Sequence, residues 1–73
     1  MRDFNTCRNL FVERFKELLN NKSIVTFSKQ VNIPERTIFG WLMKETTPSM
    51  EYITMLVQHL NCTADYLLGL RDE

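Results

Sequence analysis

Glycine and proline are scarce in this 73-residue chain, with two of each. So few chain breakers, and no internal repeat or low-complexity stretch, argue against a sheet of many tight turns and against a disordered tail. Histidine occurs once. His59 with Cys7, Cys62 and Asp65 lacks the tight four-ligand spacing of a metal site, so no enzyme, metal or cofactor is expected. No run of about 18 apolar residues is present, which excludes a membrane-crossing helix. The opening residues, MRDFNTCRNLF, lack the long apolar stretch and small-residue cleavage site of a signal peptide. A cytoplasmic protein with Cys7 and Cys62 as free thiols is therefore expected. The formal net charge is zero, which argues against an unusually basic nucleic-acid binder.

What is present is helix-forming and apolar sequence spread along the whole length. A chain this short buries only about 60% of the surface its unfolded form exposes, so a single all-α domain with a small core is expected over residues 1–73. The charge is also unevenly placed. Between residues 22 and 44, Lys22, Lys29, Arg36 and Lys44 face Glu35 alone, an excess of three positive charges that the rest of the chain cancels. Such asymmetry suits a one-sided electrostatic footprint, although a charge cluster is more often a solvated face.

Periodicity and punctuation predict five helices. Phe11, Phe15, Leu18 and Leu19 form one stripe of a first helix over 7–20, with Glu13, Arg14, Lys16 and Glu17 off it. Ser23 caps a second helix whose inner face carries Ile24, Phe27, Ser28 and Val31. Ser28 either lets another helix pack close or is a tolerated polar residue at the edge of the stripe. Asn32 suits the left-handed position that ends a helix. Pro34 turns Ile33 away from helical angles and opens the next helix without losing a needed N–H. Residues 32–34 are therefore a tight turn with Ile33 tucked inward, and two short helices joined so closely make a helix-turn-helix, over about 23–44. The third helix, over 35–44, places Ile38, Trp41 and Leu42 on the core side and Arg36, Gly40 and Met43 opposite. Ser49 caps a fourth helix, 50–60, with a stripe of Met50, Ile53, Leu56, Val57 and Leu60. Asn61, Cys62 and Thr63 repeat the turn grammar before a short fifth helix, 64–68, that stops at Gly69.

Four stretches in this order, RFKELL, SIVTFSKQVNIPERTIFGWL, TPS and ADYLLGL, resemble the Cro/CI-type (XRE-like) helix-turn-helix family of bacterial and phage transcription regulators, over about residues 11–71. The resemblance implies a compact five-helix lambda-repressor-like domain that binds double-stranded operator DNA, commonly as a homodimer and as a repressor. It implies base contacts in the major groove from the start and outer face of the third helix, at Glu35, Arg36, Thr37 and Gly40. It implies phosphate contacts at Ser23, Lys44, Thr46 and Thr47. Ile24 stands where the family often has a phosphate-binding Gln. Leu42 and Glu17 stand where it often has a Glu–Arg pair, and Lys44 where it usually has glycine.

The outer face of the third helix leaves alternatives open. Arg36 suits two hydrogen bonds to guanine, or else a phosphate contact or a surface ion pair. Glu35 accepts from cytosine or orients Arg36. Gly40 removes a side chain so that the backbone approaches the groove, or has drifted to glycine at a tolerable cost. Phe39 and Met43 suit thymine methyls, or else a neighbouring helix or a dimer contact. Leu67 and Leu70 are the expected dimer contact, since YLLGL carries more apolar residues than a two-turn helix buries. No small-molecule ligand and no membrane partner are expected. The rival function is a protein-interaction module of antitoxin-like or anti-repressor type, favoured by Phe39, Gly40, Met43 and the zero net charge.

Overall fold

The computed structural model describes residues 2–72. Five helices follow one another, α1 Phe4–Leu19, α2 Ile24–Val31, α3 Glu35–Leu42, α4 Met50–Leu60 and α5 Ala64–Leu67, with no strand among the described residues. None of these helices is long and apolar enough to cross a membrane.

Side-chain caps set most of the helix starts. Ser23, Ser49 and Thr63 each accept a hydrogen bond from the backbone N–H three residues on, which satisfies a donor the first turn would otherwise leave orphaned. Asp3 does the same for Thr6, so α1 begins at Phe4, almost a turn earlier than the apolar stripe suggests. That hydrogen bond from Thr6 also holds the Asp3 carboxyl below its ordinary range. Asn20, Asn32 and Asn61 end α1, α2 and α4 with positive φ, a conformation asparagine tolerates better than most residues. The third helix is shorter than the expected 35–44. It stops at Leu42, and Lys44 lies beyond it with φ 62°.

The core gathers around four aromatic residues. Phe15 is fully buried and stacks on Phe11 at 5.7 Å, and Phe27 and Trp41 lie edge-on or tilted against it. Ile33, Ile38, Leu56 and Leu67 complete the most deeply buried set. The inward Ile33 and the core placement of Trp41 follow the sequence pattern. Ser28 does more than either expected role. Its hydroxyl donates to the Ile33 carbonyl, while its own carbonyl accepts from the Ile33 N–H. The turn between α2 and α3 is thereby bonded from both sides by one buried serine.

Three expectations fail on packing. Met50 is 84% exposed, because the first residue of α4 overhangs the core edge. Tyr52 packs on Trp41 instead, with ring centroids 5.6 Å apart. Arg14 is not on the solvent side but is buried. Its guanidinium lies over the Tyr66 ring and donates to the backbone carbonyls of Tyr66 and Arg71. Leu67 is wholly buried, since α5 packs on α1 and α4. It is therefore not available for a dimer contact, and of the expected pair only Leu70, 54% exposed, remains at the surface.

Candidate functional site

The α2–α3 pair presents the sequence-predicted residues on one short, well-fixed scaffold. The Pro34 carbonyl accepts from the Thr37 and Ile38 N–H groups, and Ile33 and Ile38 anchor the two sides of the turn in the core. With Ile38 and Trp41 buried, the helical period turns Arg36, Phe39, Gly40 and Met43 outward. Arg36 and Glu35 are exposed and Thr37 is half-buried. Phe39 is 47% and Met43 68% exposed, which is a large apolar outlay for one face of so short a helix.

Charge at this end is unneutralised. The ion pairs among the described residues are Arg2–Asp72, Arg14–Asp72 and Arg71–Asp65, all joining α1, α5 and the chain termini. Lys22, Lys29, Arg36 and Lys44 have no carboxylate within ion-pair distance among the described residues. Glu35 does not pair with its neighbour Arg36, so its expected role in orienting that arginine has no counterpart here. Lys22 bonds only the Gln30 side-chain oxygen, at 3.1 Å. Solvated cations on a face with few acids make a positive local field that attracts anions.

Gly40 has a structural reason that sequence reasoning missed. The loop after α3 folds back, and the Glu45 and Thr46 N–H groups both donate to the Gly40 carbonyl. A β-carbon at Gly40 would lie 2.8 Å from Thr46 Oγ1. The missing side chain makes room for the Thr46 hydroxyl beside α3, and Gly40 itself is half-buried on the outer side of the helix. The same fold-back brings Thr46 and Thr47 beside α3.

The other expected anion contacts are partly committed. Ser23 Oγ accepts from the Thr26 N–H and donates to Thr26 Oγ1, so its hydroxyl is engaged within the cap. Lys44 is exposed but sits in the left-handed turn, outside the helix. Its place is fixed by its N–H donating to the Trp41 carbonyl and not by helical phase.

Elsewhere, His59 Nε2 donates to the Gln30 carbonyl, and the ring lies against Phe27. Cys7 and Cys62 are free, and burial pushes the Cys62 thiol up. No cluster of three or more metal-ligating side chains occurs among the described residues. A groove of about 380 Å³ lies between the start of α1, the 46–48 loop and the C-terminal residues, and no sequence signal pointed to it. No protein-family model, curated protein or solved structure matches the chain.

Proposed function

We propose that this chain is a sequence-specific double-stranded DNA-binding regulator of the Cro/CI-type, a lambda-repressor-like domain that inserts α3 into the major groove. The observation that carries the reading is the outer face of α3 together with its surroundings. Arg36 stands exposed near the helix start without an acidic partner, and the nearby cations are equally unpaired. An α-helix fits the major groove, and arginine there reads guanine O6 and N7. Glu35 and Thr37 flank it at base-edge positions, and Phe39 offers apolar contact to thymine methyls. Lys44, Thr46 and Thr47 supply phosphate contacts from the loop, and the free N–H groups at the start of α2 supply them at Ser23. Such a protein acts in the cytoplasm of a bacterium, on host or phage DNA, as a repressor that occupies a promoter.

One small domain buries little on DNA, so two copies on half-sites about one helical turn apart are expected. The test is selection of bound sequences from a random DNA pool with the purified protein, followed by sedimentation on the selected site. An enriched pseudo-palindrome bound by two copies supports the reading, and no binding to any DNA at low salt sinks it. A protein-interaction module is the second reading, favoured by the exposure of Phe39 and Met43. It takes over if the parent chain binds no DNA and a protein partner protects those two residues.

A further inference from the structure

The groove between the start of α1, the 46–48 loop and the C-terminal residues has a volume of about 380 Å³. Its floor is Phe11 and the edge of Trp41, and its sides are Phe4, Cys7, Leu68 and Leu70. Phe4 is 62% and Leu70 54% exposed, so two large apolar side chains stand largely open to solvent at the rim. The volume, about 380 Å³, lies at the lower end of the range of roughly 300–1,000 Å³ typical of small-molecule sites. A recess walled on three sides by α1, the 46–48 loop and the C-terminal residues suits a compact guest better than the flat face of a second copy.

Charge selects the guest. The charged residues lining the groove are Arg2 and Arg8, and no acid lines it. Arg2 is already engaged, donating to the Gly69 carbonyl and to Asp72. Arg8 is not. It has no carboxylate within ion-pair distance among the described residues. Its guanidinium lies 5.4 Å from the Phe4 ring centroid and reaches only Asn5 Oδ1, at a long 3.3 Å. Its Nε is buried with no hydrogen-bond partner. The terminal nitrogens, whose one bond to Asn5 is exposed, are the part of the guanidinium that solvent and a ligand can reach, and a carboxylate accepts from guanidinium through two oxygens at once.

We infer that the groove binds a small amphiphilic carboxylate, its apolar body against Phe11, Trp41 and Leu68 and its anionic head on Arg8. The groove borders the 46–48 loop that the DNA-binding reading also uses, but the proposal does not rest on that reading, and it is assayed without DNA. The chain has one tryptophan, and it lies in the groove floor, so its fluorescence reports occupancy. Octanoate, octanol and octylammonium serve as probes, titrated below their micelle concentrations. Octanoate is expected to change the Trp41 emission saturably, with octanol binding at least tenfold more weakly and octylammonium not at all. Arg8→Gln should weaken octanoate about tenfold and leave octanol unchanged. The melting temperature of Arg8→Gln is measured alongside, and Arg8→Lys, which keeps the charge but not the fork, should fall between the two. No saturable change with octanoate, or equal responses to all three probes, or an unaltered octanoate affinity in Arg8→Gln, overturns the proposal. So does a probe-free emission shift that grows with protein concentration, because a second copy then fills the groove.

Discussion

Arg14 and Arg36 differ in what surrounds them, and so, with the exception of Arg8, do the other basic residues near each. Where α1 meets the C-terminal residues, Arg14 is buried over Tyr66 and donates to two backbone carbonyls. Arg2 and Arg71 at that end also have carboxylates beside them. At the α3 end, Arg36, Lys29 and Lys44 are exposed and have none among the described residues. In one region arginine ties down a chain end that has too few apolar contacts of its own. In the other, the scaffold is held by apolar residues and one serine, and the cations are left over. Position in the fold, not residue type, decides whether a guanidinium is structural or available.

The most damaging substitution should be the one at the shared centre. Trp41 is buried and touches Phe11, Phe15 and Tyr52, so Trp41→Ala should cost about 3–5 kcal/mol. Thermal unfolding followed by circular dichroism checks it, and a melting point within a few degrees of the parent would mean that the two ends do not share one core.

Arg14→Met tests the tied end. Methionine keeps much of the apolar stem but leaves the Tyr66 and Arg71 carbonyls without their donor, at about 2–3 kcal/mol. Urea unfolding should show that loss, while affinity for selected DNA, corrected to the folded fraction, stays the same. A loss of affinity with unchanged stability would reverse the contrast.

Arg36→Ala is the complementary case. Stability should move by no more than about 0.5 kcal/mol, as for an exposed residue with no partner. Binding to the preferred site should weaken by about 1–3 kcal/mol, and binding to random DNA by much less. Equal losses on both DNAs in a fluorescence anisotropy titration would reduce Arg36 to a phosphate contact.

Lys44→Gly should move the two properties in opposite directions. A lysine at φ 62° carries left-handed strain of about 1 kcal/mol that glycine escapes, so the melting temperature should rise. Affinity should fall by similar factors on specific and random DNA, with the slope of log affinity against log salt reduced by about 1 per subunit. A variant that is no more stable would show that the side chain makes contacts that offset the strain.

The smallest effect concerns acid. The hydrogen bond from Arg2, then its charge, holds the Asp72 carboxyl below the usual carboxylate range. A carboxyl with a depressed folded pKa adds stability above its unfolded pKa and loses it as pH falls through the folded one. Asp72→Asn should therefore flatten the acid limb of the stability–pH curve slightly, and Arg36→Ala should leave that limb alone. An unchanged limb in Asp72→Asn would detach the carboxylate from the clamp.

The elements themselves were legible along the chain. Asn32, Ile33 and Pro34 announced the turn between α2 and α3, Ser49 and Thr63 announced helix starts, and the spacing of Ile38 and Trp41 fixed which face of α3 is buried. These signals are local, because a cap, a left-handed residue or a helical period involves neighbours within a turn or two of chain. The exposed face carrying Glu35, Arg36, Thr37 and Phe39 follows from that period alone. Arg14 was within reach of the same reasoning, since three residues after Phe11 and four before Leu18 it lies inside the apolar stripe. Its charge argued for solvent, and only the distant carbonyls of Tyr66 and Arg71 make burial affordable. Gly40 required knowing that the 44–47 loop folds back on α3, and Leu67 that α5 closes against α1 and α4. The groove joins residues from both ends of the chain and exists only once they meet. Contacts of that kind depend on which surfaces the packed helices bring together, and no short stretch of sequence carries that information.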